Sequence, residues 1–230
     1  MILTAAAIRA AQLSGDIVID PFEPGRLSPN AYDWRLGEQI RVCGGILDAA
    51  AVTRCEEHRI PAAGMILQPE NLYLGLTWER TCSARYAQLL NGNRDTGALG
   101  IWVHVSAPLG HVGHAIQWTL EIRVVRPVRV YPRMTFGKLI FLQVHGDHDT
   151  YQQPSAKYAA TAGIGLSRLH EELTAPVQET SHDQHHHAAG RHRGRSAVRI
   201  ARRQRRAPAR PVHRPVCAAG RPGLHARPCR

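Results

Sequence analysis

The feature that most tightly constrains this chain is the alternation along Ala115–Val125. Ile116, Trp118, Leu120, Ile122 and Val124 fall on one side; Gln117, Thr119, Glu121 and Arg123 fall on the other. Side chains of an extended strand project to opposite faces in turn. A period of two therefore predicts a strand with one apolar face buried and one polar face open. Such a strand needs partners, and the flanking sequence supplies candidates. Asp16–Phe22, Trp34–Val42, Leu72–Arg80, Val128–Tyr131 and Lys138–Val144 all read as strands. Gly100–Ala107 also alternates, with Ile101, Val103 and Val105 against Trp102, His104 and Ser106. Gly- and Pro-bearing turns separate these runs. The one early helix spans roughly residues 5–14, capped by Thr4, ended by Gly15, with Ile8 and Leu13 as its apolar contacts. The fold class is mainly β, a barrel or sandwich with a short N-terminal helix.

The pattern stops abruptly. Tyr158 is the last aromatic residue, and beyond Leu173 the chain is mostly Ala, Arg, Pro, Gly and His. That composition buries too little apolar area to offset an ordering cost of roughly 1–2 kcal/mol per residue. A folded domain over 1–174 and a disordered tail over 175–230 are expected. Ala188–Arg230 contains 13 Arg and no acid, which leaves 16 basic and 18 acidic side chains in residues 1–187. The formal charge of +11 thus belongs to the tail. A uniformly basic nucleic-acid-binding fold is excluded. An altered reading frame or a polyanion-binding extension both fit the tail. Without interleaved aromatics it has no stacking platform for bases, so any nucleic-acid binding through it would be electrostatic.

Cys43, Cys55, Cys82, Cys217 and Cys229 are odd in number and show no CxxC spacing, so reduced thiols are expected. No apolar run approaches the ~20 residues that cross a bilayer, and no signal peptide is evident. A cytoplasmic protein without a membrane segment is expected.

Three places could carry chemistry. Glu121 projects from the polar face beside Thr119. A carboxylate on a rigid strand facing a cavity is a candidate general base, although the same pattern suits a solvated face with Arg123 as neighbour. Asn91–Ala98 is a polar, Gly-bearing turn whose backbone N–H groups and Arg94 could cradle phosphate, or it is an ordinary hairpin loop. Tyr151, Lys157 and Tyr158, with the Gly163–Arg168 stretch, could close over an anionic ligand or form a solvated loop. Metal sites are poorly supported. The HxE and PCxxC pair of zinc nucleobase deaminases is missing, Cys55-Glu56-Glu57-His58 has no second ligand pair, and the His185–His187 run lies in the tail.

Taken in order, these residues resemble the dCTP deaminase family of the dUTPase-like superfamily. Met1-Ile2-Leu3 and Ile19-Asp20-Pro21-Phe22 resemble its N-terminal segment. Pro29–Gly37 resembles its PxSxDxRLG motif, and Leu74-Gly75 with Thr77-Trp78-Glu79-Arg80 its LGxTxER pattern. Trp118-Thr119-Leu120-Glu121 resembles the TLE strand, and Tyr131-Pro132 through Gly137 the YPGMxxGQ turn. Lys157-Tyr158 and Ser167-Arg168 match the C-terminal segment. The resemblance runs over about residues 1–170. It implies a distorted β-barrel or jelly roll and a homotrimer with sites between subunits. It also implies zinc-independent hydrolysis of dCTP to dUTP and ammonia. Glu121 would activate the water. Thr119 and Leu120 would meet the base, partly through backbone; Arg94, Thr96 and Gly97 would stand at the phosphates. Tyr151 and Lys157 would contact the triphosphate, and Mg²⁺ would arrive with it.

The departures are concentrated on the phosphate and sugar side. Where the family reads Arg-Ser-Ser-x-x-Arg, Asn93, Arg94, Asp95 and Ala98 stand at the four named positions. His111 replaces the Asp that holds the sugar, and Thr161 replaces the C-terminal Gln. A pure dUTPase needs that Asp to activate its water. Three readings follow: an ordinary dCTP deaminase, a deaminase of a modified or less phosphorylated cytosine nucleotide, or an inactive nucleotide-binding regulatory homologue.

Overall fold

A computed structural model describes residues 1–151, 157–158 and 161–174. The expected disorder of 175–230 lies outside the described residues. In chain order the elements are α1 (Ala5–Ser14), β1 (Ile17–Asp20), β2 (Leu27–Ser28), β3 (Ala31–Cys43), β4 (Glu56–Arg59) and β5 (Met65–Leu67). They continue with β6 (Leu72–Ser83), β7 (Tyr86–Gly92), α2 (Arg94–Ala98), β8 (Ile101–Trp102) and β9 (Leu109–Gly110). The last are β10 (Ile116–Val124), β11 (Val128–Val130), β12 (Thr135–Gln143) and α3 (Leu169–Thr174).

The main sheet runs β8-β10-β6-β3-β12-β7-β9, with β1 on β6 and β2 and β4 on β3; every pair is antiparallel. It curls into a half-barrel around an apolar core, with β5 and β11 forming a separate ribbon. Trp34, Tyr32, Tyr73, Phe136 and Phe141 are its largest fully buried side chains. The helix at the N-terminus starts and stops where the sequence indicates: Thr4 accepts the N–H of Ala7, and Gly15 turns left-handed at φ 82°. Its buried contacts are Ile8 and Ala11, whereas Leu13 faces solvent, a correction of the expected apolar pair.

Two buried-charge and packing details fix the site strand. Arg35 of the RLG motif and Glu79 of the TxER motif form an ion pair at 2.7 Å, and the Arg35 backbone N–H donates to the same carboxylate at 2.8 Å. Beside them the β6–β10 ladder slips, so that Thr77, Trp78 and Glu79 together oppose Trp118. This bulge frees Thr77 Oγ1 to accept the Trp118 N–H at 3.0 Å while donating to the Glu79 carbonyl. Gly37 lies where a Cβ would sit 2.8 Å from the Leu76 carbonyl oxygen, which explains the glycine of the RLG motif.

Several expectations are revised. The alternating run at Gly100–Ala107 remains a strand only at Ile101–Trp102; the chain then leaves the sheet, Val103 tucks inward and Val105 is exposed. The Asn91–Ala98 turn contains the helix α2. The thiols of Cys43 and Cys55 are not reduced but joined in a disulfide, Cα to Cα 4.4 Å. The reason lies in the register: Val42 pairs with Glu56 across β3 and β4, so the next residues, Cys43 and Cys55, stand opposite one another.

Candidate active site

On β10, Trp118, Leu120, Ile122 and Val124 are buried, and Thr119 and Glu121 project from the other face. Their cross-strand partners on β6 are Leu76 and Leu74. Glu121 therefore stands on a rigid strand with an apolar floor beside it. Its Oε2 accepts the backbone N–H of Ser106 at 3.0 Å, and its own N–H donates to the Val103 carbonyl at 3.2 Å. The early exit of the chain after β8 thus serves the carboxylate: residues 103–106 fold back over Glu121 instead of extending the sheet. Leu120 is fully buried, so only its backbone can face the polar side.

Thr119 is bound as well. Its Oγ1 accepts the Gly165 N–H at 2.9 Å, which brings the C-terminal segment directly over the β10 polar face. Ile164 and Leu166, on either side of Gly165, pack with Leu74, Leu76, Leu72 and the Cys43–Cys55 pair in a second apolar cluster.

His104 was not singled out by the sequence. Its ring meets the edge of Trp118 at 6.2 Å, and both ring nitrogens are shielded from water with no hydrogen bond among the described residues. Burial pushes its imidazole pKa down, against the opposing pull of the Glu121 charge. A single His in a Val-His-Val context carries no pattern to mark it. Gly110 closes the same arrangement: a Cβ there would lie 2.4 Å from the Trp118 ring.

Tyr151 docks onto the loop that follows β9. It stacks on His111 with ring centroids 4.8 Å apart and lies 4.6 Å from His114, and its N–H donates to the Val112 carbonyl. Burial drives the His114 pKa down to about 4, with His111 and Arg80 acting in the same sense and a backbone hydrogen bond at Tyr158 opposing them. Lys157 pairs with Glu172, and its carbonyl accepts from Arg168. Arg168 also holds Glu171 at 2.7 Å.

The remaining site candidates sit on α2. Asn93 caps the helix in a reciprocal box: its side chain accepts the Thr96 N–H, and Thr96 Oγ1 accepts the Asn93 N–H. Thr96 is buried and its hydroxyl is spent inside this box, also donating to the Asn93 carbonyl. Arg94, Asp95 and Gly97 are exposed, and a Cβ at Gly97 would meet nothing within 4 Å. Within one chain, and among the described residues, no hydrogen bond or ion pair joins α2 side chains to Glu121 or to the C-terminal segment. The structure thus gathers Glu121, Thr119, Leu120 and residues 164–166 at one place and Tyr151 at a second, while Arg94, Thr96 and Gly97 stand apart on α2. Among the described residues no group of three or more His, Cys, Asp and Glu side chains is placed to hold a metal ion. No helix among them is long and apolar enough to cross a membrane.

A curled antiparallel half-barrel that mounts a Thr-Leu-Glu strand under a C-terminal segment fits the dUTPase-like superfamily. Within it, the chain belongs to the dCTP deaminase-like family, whose profile matches residues 2–144. A dCTP deaminase of Rhodopirellula baltica is 39% identical over 181 residues, covering 78% of this chain and 90% of that protein. A dCTP deaminase, dUMP-forming, of Clostridium beijerinckii is 35% identical over 174 residues, covering 75% of this chain and 99% of that one. The crystal structure of 2'-deoxycytidine 5'-triphosphate deaminase from Agrobacterium tumefaciens shares the fold, with a TM-score of 0.51 at 21% identity. That match covers 63% of this chain and 48% of the other.

Proposed function

We propose that this chain hydrolyses the exocyclic amine of a cytosine deoxynucleotide, converting dCTP and water to dUTP and ammonia. The observation that carries the reading is the placement of Glu121 on the TLE strand, with one carboxylate oxygen anchored by the Ser106 N–H. Anchoring Oε2 leaves Oε1 to orient a water. As the water oxygen bonds to C4 of the cytosine, one of its protons passes through Glu121 to the exocyclic nitrogen and the other ends on ring N3. The C–N bond breaks, ammonia leaves and C4 becomes a carbonyl. A fixed general base of this kind contributes roughly 10²–10⁴-fold. The Leu120 backbone and Thr119 would flank the base, and Tyr151 and Lys157 the triphosphate. Mg²⁺ would travel with the phosphates rather than in a protein cage.

Release as dUTP is favoured by the sequence resemblance, in which His111 replaces the Asp that a dUTPase needs to activate its water. The clostridial relative is named for dUMP formation, and that is the second product to look for. A less phosphorylated or modified substrate is favoured by one observation: the Thr96 hydroxyl is already used in the helix cap, and Asp95 beside it is exposed. A homotrimer with shared sites would use the exposed Leu99, Trp102 and Val125 near the β8 edge as apolar contact. Residues 1–174 would form the working unit, in the cytoplasm, with the tail dispensable for turnover.

Ammonia release should be measured for deoxycytidine, dCMP and dCTP with Mg²⁺, with products separated by chromatography. Turnover of dCTP to dUTP is expected, and Glu121→Gln should lose about 10²–10⁴-fold while keeping its unfolding midpoint. Preference for dCMP would support the less phosphorylated substrate. No ammonia from any of the three would replace the reading by a nucleotide-binding regulatory one.

A further inference from the structure

The Cys43–Cys55 bond lies on the same face of the sheet as Glu121. Cys43 pairs with Leu72 across β3 and β6, and Leu74 and Leu76 of β6 pair with Glu121 and Thr119 of β10. Directly paired residues share a face, so Cys43, Leu72, Leu74, Leu76, Thr119 and Glu121 form one continuous surface. Two strand spacings, about 10 Å, separate the disulfide row from the carboxylate row. Ile164 and Leu166 lie in the apolar cluster on this surface, and between them Gly165 donates its N–H to Thr119.

We propose that the Cys43–Cys55 disulfide is a redox device that sets whether residues 161–168 are docked over the candidate site. Oxidised, the bond pins Cys55 to the floor and completes the apolar platform for Ile164 and Leu166. It also closes the exposed loop over residues 44–54, which presents Ile46, Leu47 and Val52 to solvent. Reduced, Cys55 is tied to the platform by no covalent bond, and the loop gains the freedom of an open chain. The segment then loses part of its seat, and with it the Gly165 hydrogen bond.

Access to the bond is asymmetric. Cys43 is buried, whereas Cys55 is partly exposed and lines an open groove of about 490 Å³ with Val42, Gly44, Arg54, Glu56 and Asn71. A dithiol reductant would enter there. Its thiolate attacks the Cys55 sulfur, forms a mixed disulfide and expels the Cys43 thiolate. Its second thiol then displaces Cys55, giving a cyclic disulfide; two electrons and two protons pass to the protein thiols.

The inference needs the catalytic reading only for its activity arm. Because Cys82 is also disulfide-bonded, hydrogen–deuterium exchange is followed on the full-length chain carrying Cys82→Ala, air-oxidised and after dithiothreitol, with Cys55 intact and as Cys55→Ser. Peptide mapping of the oxidised wild type should find Cys43 joined to Cys55. Reduction should speed exchange about tenfold in peptides spanning 161–168 and 44–54, as a local opening does, and leave β6 and β10 unchanged. Cys55→Ser should exchange at the fast rate with or without reductant. If dCTP is turned over, its KM should rise about tenfold on reduction and in the variant, with kcat within about threefold. Free thiols at Cys43 and Cys55 in the oxidised protein, unchanged exchange at 161–168, a rise spread equally over the core strands, or a reductant response that persists in Cys55→Ser would each overturn the inference. Should no nucleotide be deaminated, the exchange data still decide it alone.

Discussion

Glu79→Ala tests whether the TxER motif serves architecture or chemistry. Glu79 is 0% exposed and accepts two hydrogen bonds from Arg35, one from the backbone and one from Nε. Truncation leaves the Arg35 N–H without its acceptor and the guanidinium, itself nearly buried, without its inner carboxylate. Among the described residues the carboxylate left to it is Glu23, at 2.6 Å on the outer side and half exposed. Removing one member of a buried pair costs about 3–5 kcal/mol, because the survivor stays desolvated. With a urea slope of about 2 kcal/mol/M for a domain of this size, the midpoint should fall by roughly 1.5–2.5 M at fixed protein concentration. Glu79→Gln keeps a carbonyl for the backbone N–H and should lose about 1.5–3 kcal/mol. Both variants, assayed below their midpoints, should keep the wild-type kcat, since Glu79 faces the core and Glu121 does not. A midpoint shift under about 0.5 M for Glu79→Ala would refute the buried-pair account.

Three further outcomes are expected. His114 has its pKa lowered from 6.5 to about 4, so the unfolded chain binds its proton more readily than the folded one. The stability owed to neutral His114 is complete above about pH 6.5 and lost as pH falls towards 4, and His114→Phe should flatten urea-midpoint profiles in that window relative to wild type. Gly110→Ala places a methyl against the Trp118 ring and should lower stability by about 1–3 kcal/mol in thermal melts, with an unchanged melting curve counting against that packing. A chain ended at Thr174 should match the full-length kcat for dCTP; a tenfold loss would show that the basic tail takes part in turnover.

The parts of the fold that were legible are those where one face is wholly apolar. The strand around Trp118–Val124 and the capped N-terminal helix follow directly from periodicity and cap residues. The β7 strand does not, because its inward position Gln88 is polar: it is fully buried and bonded to Thr81, a partner seven residues away. The overlong reading of Gly100–Ala107 failed for a different reason. Its alternation is real, but the backbone after Trp102 is drawn to Glu121 rather than to a neighbouring strand. Glu121 and Thr119 could be picked out from the polar face of one strand. His104, Ser106 and Gly165 could not, since each is defined by a contact 14 to 46 residues away, and that distance is closed only by the fold.

The slip between β6 and β10 bears on how this scaffold can change length. Three residues of β6 stand against one of β10, a surplus of two, so the inward and outward faces agree on both sides of it. β10 keeps its alternation unbroken through the slip, so the extra length is carried by β6 alone and Glu121 holds its face. Changes of length at Thr77–Glu79 should therefore enlarge or shrink the bulge of β6 without turning the Thr119–Glu121 face, as the single extra residue Phe136 is already accommodated between β12 and β3.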